Sequence, residues 1–318
     1  MRKYSAASTY REVKASGITL FSVIIPTFNR AHSIGRCLDS VRRQTFADFE
    51  IIVVDNGSTD STREIIESIL QSDTRIIYIY QENSGSPAGS RNTGIKAARR
   101  DWVSFLDSDD LWLPNKLERV RQEISEHVDA GLVGVSHWEN RIIDGMHAGV
   151  LRHGSAKSKG LYRELLLSGN CFSTSAMTVR RDILSQVNGF DLRRDYFAVE
   201  DYDLWMKISR LGEIASINEV LGEFHIGADN MSSRVESFHN NLKTLVYDHL
   251  RVLDVGEVER EKLIRVHGAR IDYYLGRTYQ LAGQFELARK ILAKSILIHP
   301  LDYRKWASLF FSLLQIRT

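Results

Sequence analysis

The spacing of apolar residues switches along the chain between short strand-like runs and helical stripes, and these switches outline the fold. FSVIIP (Phe21–Pro26) is an apolar run, and Ile34, Cys37, Leu38 and Val41 follow at helical spacing. FEIIVVD (Phe49–Asp55) is a second run, ending in an acid. Ser61 and Glu64 then read as a capping box for a helix carrying Ile65, Ile66, Ile69 and Leu70. RIIYIYQ (Arg75–Gln81) predicts a third strand, Ser90–Arg100 a helix, and Trp102–Leu106 a fourth strand. Strands alternating with helices in this way predict an α/β domain with a mostly parallel sheet and helices on both faces. Right-handed crossovers bring the strand C-termini to one edge, so Pro26, Asp55 and Asp107 are expected to share a crevice.

The middle of the chain is less regular. Ala130–Trp138 and Ser173–Val179 read as strands, a helix begins near Glu200, and a short strand covers Glu213–Ile217. HAGVLRHGSAKSKG (His147–Gly160) is polar, basic and glycine-bearing, which suits a lid loop. From Val235 helical periodicity continues to the end. There Leu275, Gly276, Tyr279, Ala288, Leu292 and Pro300 follow tetratricopeptide spacing, with Gly283 and Phe285 at the repeat's turn. Asp272 stands where the repeat's opening aromatic belongs, whereas Trp306 fills that place ahead of Leu309 and Leu313. The expected organisation is a lead over residues 1–18, an α/β domain over 19–234, and a helical domain over 235–318. The last holds one repeat at about 270–303 and a capping helix. Because a lone repeat cannot bury its own faces, it is expected to pack on the helix at 237–253 or on the sheet domain. The last helix, with Trp306, Leu309, Phe310, Phe311 and Leu314, could instead lie on a membrane surface.

Composition narrows the class without choosing a function. The chain has 318 residues, 43% hydrophobic and 26% charged, with a formal net charge of +2. That is a globular composition, too balanced in charge to argue for nucleic acid. No window approaches the ~20 apolar residues of a spanning helix, and the opening MRKYSAASTYREVKASG lacks the apolar core of a signal peptide. Cys37 and Cys171 fit no metal spacing and read as buried free thiols. A cytoplasmic protein, free or peripheral at the inner face of the membrane, is expected.

Candidate chemistry concentrates in VSFLDSDDLWLP (Val103–Pro114), where an apolar run ends in Asp107, Asp109 and Asp110. In an extended chain Asp107 and Asp109 would point the same way and repel unless a cation sat between them. Hard oxygen ligands of this kind suit Mg²⁺ or Mn²⁺, which share a substrate's phosphates. The same acids could instead form a turn before the helix predicted at Asn115–Val128, with Asp110 as its cap.

SVIIPTFNR, VVDNGSTD, GSPAGSRNTG, FLDSDDLW, GFDLRRDYFAVEDYDLW and FHIGADNMS occur in the order and approximate spacing of a known family. From about Phe21 to Ser233 the chain resembles the family 2 glycosyltransferases, which have the GT-A fold and transfer a sugar from a nucleotide-diphosphate donor. The resemblance implies that Pro26, Thr27 and Asn29 hold the nucleotide base and that Asp55 contacts base or ribose. It also implies that Arg91 reaches the nucleotide. Asp107-Ser108-Asp109 resembles the family's Asp-x-Asp motif, which implies Asp109 as ligand of Mn²⁺ or Mg²⁺, Asp107 on ribose or metal, and His225 completing the site. Glu200-Asp201 matches the Glu-Asp pair that supplies the general base, Asp201, with Glu200 orienting the acceptor. A solvated helix arginine, a structural histidine and an acidic first helical turn are the plainer readings of Arg91, His225 and Glu200-Asp201. The Gln-x-x-Arg-Trp motif of processive synthases and the glycine-rich loop of nucleotide-sugar pyrophosphorylases are both absent from the sequence. The expected activity is therefore inverting, metal-dependent, non-processive transfer. The donor is a nucleotide sugar, most commonly a UDP-sugar in this family, and the acceptor a glycan or lipid-linked hydroxyl of bacterial surface polysaccharide synthesis. A sheet domain without catalysis, acting as a scaffold through its C-terminal helices, is the alternative.

Overall fold

The computed structural model describes residues 20–127, 131–154, 160–227 and 235–317. The expected lead over 1–18 lies outside these residues, as do parts of the 147–160 loop and of the FHIGADNMS segment.

Apolar runs without polar alternation form strands buried on both faces, as parallel strands require. β1 (Phe21–Thr27) and β2 (Phe49–Asp55) are buried along their whole length. With β3 (Ile76–Tyr80) and β4 (Trp102–Phe105) they form a parallel set in the order β3-β2-β1-β4. Between them run α1 (Ile34–Arg42), α2 (Thr62–Leu70) and α3 (Pro87–Ala97). Val23, Ile25, Ile51 and Val53 share a core with Ile34, Cys37, Leu38 and Val41 of α1 and Ile66 of α2. On the other face Gly94 of α3 lies so close to β1 that a Cβ there would stand 2.5 Å from Ile24 Cγ2. Helices therefore cover both faces of the sheet.

Beyond β4 the sheet is mixed. β5 (Leu111–Trp112), β6 (Leu132–Ile143), β7 (Met146–Leu151), β8 (Thr178–Arg180) and β9 (Glu213–Ile226) complete nine strands among the described residues, in the order β3-β2-β1-β4-β8-β6-β9-β5 with β7 on β6. β4 meets β8, β8 meets β6, and β5 meets β9 in antiparallel fashion, while β6 and β9 are parallel. The helices of this part are α4 (Lys116–Glu126), α5 (Leu161–Ser168), α6 (Arg181–Gln186) and α7 (Glu200–Ile208).

Several local expectations change. Ser61 makes no side-chain cap bond; Asp60 accepts from Thr62 N (3.0 Å) and from Ala31 N (3.1 Å) instead. α3 begins at Pro87, ahead of the expected Ser90, because Ser86 caps it and proline suits the first helical position. The first part of the expected 147–160 loop is strand β7, joined to β6 through Asp144-Gly145 with φ of 50° and 77°. Two residues in the left-handed region make the tight hairpin whose twist matches that of the strands. Within Ser173–Val179 only Thr178 and Val179 are strand, because side-chain hydrogen bonds hold the preceding residues in a turn. β9 extends well past Ile217. Cys37 is buried, but Cys171 is half-buried, and both are free.

The chain divides into two compact units, one within Met1–Leu165, Gly169–Leu192 and Asp201–Gly227, the other comprising Leu166–Ser168, Arg193–Glu200 and Ala228–Thr318. The second holds α8 (Val235–Arg251), α9 (Glu257–Leu281), α10 (Phe285–Ile298) and α11 (Tyr303–Leu313). It also takes in the 193–200 segment, where Arg193 and the Tyr196 hydroxyl both reach Asp248. α9 and α10 form the expected helix pair. Gly283 turns between them with φ 79°, and Gly276 lets Leu292 approach to within 2.8 Å of where a Cβ would be. Asp272, in the place of the repeat's aromatic, pairs with Lys243 at 2.5 Å.

Candidate active site

Parallel pairing sets Thr27 beside Asp55, and Ile24 beside Phe105, so the loops leaving β1, β2 and β4 emerge together. Asn29 adopts φ 51°, which asparagine tolerates. Its backbone N donates to Ser58 Oγ (3.0 Å) and its side-chain oxygen accepts from Thr59 N (2.8 Å), lacing the first loop to the second. Asp55 is fully buried; Oδ1 accepts from Ser58 N and Oδ2 from the Tyr78 hydroxyl, both at 2.8 Å. Burial and this carboxylate push the Tyr78 hydroxyl far up, so it stays a donor. Pro26 and Thr27 are buried at the strand end, and Thr27 Oγ1 has no hydrogen-bond partner among the described residues.

After Phe105 the chain leaves the sheet, and Asp110 N donates to Asp107 O (3.0 Å) to close a turn. Asp107 and Asp109 thus lie on a turn, not at alternate positions of an extended strand. Arg91, buried on α3, gives Asp107 Oδ1 a 2.6 Å bond, its guanidinium 5.3 Å above the Phe190 ring. Asp109 faces Arg30 Nη2 at 3.5 Å, and Arg36 donates to its carbonyl (3.2 Å). Burial and the Asp107 charge raise the Asp109 pKa, with Arg30 and His225 opposing. Ser108 is buried between them. Asp110 caps no helix. Its Oδ1 accepts from His225 N (2.8 Å) and its Oδ2 from Ser175 Oγ (2.5 Å), tying the acid turn to β9 and to the loop before β8. Burial, then Asp109, Glu139 and Asp107, push its carboxyl well above the usual range. His225 sits on β9 with Nε2 3.1 Å from Glu223 Oε2.

Asp107 and Asp109, each already facing an arginine, are the carboxylates that a divalent cation at this edge would meet. Buried, mutually repelling carboxylates favour a cation's approach. Among the described residues no group of three or more His, Cys, Asp or Glu side chains is placed to hold a metal ion; a cation that takes most of its ligands from water and phosphate would need only one or two of these carboxylates.

The turn at Ser173-Thr174-Ser175, which periodicity alone reads as strand, reaches the carboxylates of Glu139, Asp201 and Asp110 through its three hydroxyls. Ser175 Oγ accepts from Asp107 N (3.0 Å) while donating to Asp110. Thr174 Oγ1 lies 3.5 Å from Asp201 Oδ2. Ser173 donates to Glu139 Oε2, which also meets His153 Nε2 at 2.7 Å. Asp201, half-buried in the first turn of α7, accepts from Tyr202 N through Oδ1 (2.7 Å); Glu200, where α7 begins, is buried. Behind the turn, Lys116 is fully buried, 3.1 Å from Thr178 Oγ1 and 3.6 Å above the Trp112 ring, and burial lowers its pKa strongly. Polar residues inside apolar runs (Lys116 in LPNKLE, Glu139 in VSHWEN, the hydroxyls of CFSTSAM) were the available signal for this layer.

The family model for glycosyl transferase family 2 matches residues 22–187. Over 218 residues the chain is 32% identical to WfgD of Escherichia coli, a UDP-Glc:alpha-D-GlcNAc-diphosphoundecaprenol beta-1,3-glucosyltransferase, covering 67% of this chain and 80% of that one. The structure of S. aureus TarS in complex with UDP-GlcNAc superposes with a TM-score of 0.64 at 21% identity, covering 94% of this chain and 88% of the other. The mannosyltransferase PcManGT from Pyrobaculum calidifontis, in complex with GDP-Man and Mn²⁺, does so with 0.59 at 16% identity, covering 97% and 92%. At these identities the two structures speak for the GT-A fold alone. With the family match running from β1 to α6 across the Asp107–Asp110 turn, the chain belongs to glycosyl transferase family 2 and is a glycosyltransferase.

Proposed function

We propose that the protein transfers one sugar per encounter, with inversion, from a nucleotide-diphosphate donor to a glycan or lipid-linked hydroxyl in bacterial surface polysaccharide synthesis. The observation that carries this reading is the 173–175 turn, which links Asp201 to the Asp107–Asp110 turn across a long stretch of sequence. The base and ribose would lie over Pro26, Thr27, Asn29 and Asp55, with Asp107 and Ser108 beside the ribose and Arg91, which holds Asp107 in place, reaching towards the nucleotide. Asp109 would hold Mn²⁺ or Mg²⁺, with Asp107 and His225 as further donors. Bound there, the cation supplies Lewis-acid stabilisation of the charge developing on the departing diphosphate. Arg30 and Arg36 lend positive charge to the same side. Asp201 takes the proton of the attacking hydroxyl, as inversion requires a carboxylate opposite the leaving group; Glu200 orients the acceptor. UDP is the preferred nucleotide. WfgD, named for a UDP-Glc donor, supports this choice, as does its diphosphoundecaprenol-linked acceptor for the acceptor class.

The test is a thermal-shift panel of UDP, GDP, TDP and CDP, each with and without Mn²⁺, on wild type and Asp109→Ala. A nucleotide at about 100 times its dissociation constant should add about 2.7 kcal/mol of stability. A shift for UDP that needs Mn²⁺ and vanishes in the variant is expected. Asp201→Asn should keep that shift while losing transfer. Shifts indifferent to Mn²⁺ and to Asp109 would overturn the metal assignment, and no shift for any nucleotide would overturn the donor class.

A further inference from the structure

α11 is built inside out. Its inward positions are Lys305, Ser308 and Ser312, all buried, with Lys305 Nζ on Ser295 O (3.2 Å) and Ser312 Oγ on Phe285 O (3.1 Å). Its outward positions are Tyr303, Trp306, Phe310, Leu313 and Leu314, each between 52% and 78% exposed. Their spacing of three and four residues places them on one helical stripe. A soluble helix ordinarily turns such a stripe to the core, and a contiguous exposed apolar patch marks an interaction surface. α10 adds an exposed stripe at the same spacing, Leu287, Lys290, Lys294 and Leu297, and Leu301 is exposed between the helices.

Charge identifies the occupant. From the start of α10 to residue 317 the chain contains six Lys or Arg against two acids, Glu286 and Asp302, although the whole chain carries a formal charge of only +2. Arg304 is neutralised by Asp302 (2.9 Å) and Lys305 is turned inward, whereas Lys290 and Lys294 stay exposed between two leucines, Lys294 keeping only a 3.9 Å approach to Asp272. Aromatic and leucine side chains beside exposed lysines suit the boundary between anionic headgroups and acyl chains. We infer that the outward faces of α10 and α11 dock on an anionic phospholipid bilayer. This extends the proposed function by holding the enzyme at the surface where a lipid-linked acceptor resides, but it stands on observations independent of the acid cluster.

Flotation of the full chain with vesicles of phosphatidylcholine, with and without phosphatidylglycerol, tests it. Wild type should float with the anionic vesicles and lose binding as salt rises. The triple variant Trp306→Ser, Phe310→Ser, Leu313→Ser should bind at least about tenfold more weakly with an unchanged melting temperature. Lys290→Glu with Lys294→Glu, which leaves the apolar stripe intact, should lose binding to anionic vesicles even if the triple variant does not fold. Failure of wild type to float, or equal flotation of both variants, would overturn the inference. So would a concentration-dependent dimer that the triple variant abolishes without any vesicle binding, which would give this face to a second copy. Mn²⁺-dependent nucleotide shifts remain a separate readout, so loss of one reading leaves the other measurable.

Discussion

Replacing Ser175 with alanine deletes a single oxygen and two hydrogen bonds beneath the acid turn. Ser175 Oγ donates to Asp110 Oδ2 at 2.5 Å and accepts from Asp107 N at 3.0 Å. Asp110 is buried, so one of its oxygens would lose its donor without access to water, and the Asp107 amide would lose its acceptor. A buried group left unsatisfied costs about 1–3 kcal/mol, and the less buried amide less, for a combined loss of about 2–4 kcal/mol. With an unfolding entropy near 2.1 cal/mol/K per residue over roughly 200 residues, that corresponds to a fall of about 5–10 °C in melting temperature. The hydroxyl also lowers the Asp110 pKa, so its removal raises that pKa further. Because the same bonds set the pose of Asp107, the Mn²⁺-dependent affinity for UDP proposed above should fall about tenfold, equivalent to about 1.4 kcal/mol. Differential scanning fluorimetry and calorimetric titration with UDP measure the two effects. Thr174→Val is the contrast: it leaves the acid turn alone and touches Asp201, so nucleotide affinity should hold while transfer falls. A Ser175→Ala protein that melts within 1 °C of wild type and binds UDP equally well would show that Arg91 and the His225 amide hold the turn unaided.

Three further outcomes follow from particular contacts. Burial and then Arg270 lower the His267 pKa to about 4, so between that value and its ordinary value near 6.5 the unfolded chain binds the extra proton. Stability should therefore fall as pH drops through this window, and fall less in His267→Gln; identical urea-unfolding profiles from pH 7 to 5 would refute the assignment. Arg75, together with Arg42, holds Asp73 at about 2, so its contribution is present above about 3.9 and lost as pH falls towards 2. Asp73→Asn should destabilise at neutral pH and converge with wild type at the acid end. Gly94→Ala should destabilise by about 1–3 kcal/mol, read by thermal unfolding, because its Cβ would press into Ile24.

The parallel half of the fold was legible because its strands are local apolar runs and α1 and α2 carry local helical stripes, although α3 buries mainly small and polar residues. Phe21–Pro26 and Phe49–Asp55 are apolar without alternation, and the helical stripe at Ile34, Cys37, Leu38 and Val41 is buried as its spacing requires. The antiparallel part was less legible because its register depends on partners distant in sequence. β9 extends through polar residues only because β6 runs beside it, and the Asp144-Gly145 hairpin pairs β7 with β6 where composition alone reads a basic loop. The helix pair at Gly283 could be read from small and large residues, yet the inverted face of α11 could not, since a helical stripe alone does not say which side meets the core.

By itself the sequence determined that Asp107, Asp109 and Asp201 stand in segments resembling the family's motifs, since motif and order are local properties of the chain. Only tertiary structure decided how they are held. Asp107 and Asp109 lie on a turn and not on a strand, Asp201 lies in the first turn of α7, Arg91 pairs with Asp107, and three consecutive hydroxyls from the loop before β8 reach Glu139, Asp201 and the Asp107–Asp110 turn. Hydrogen bonds of that kind join residues far apart in the chain, and their geometry exists only once the sheet has set the backbone positions.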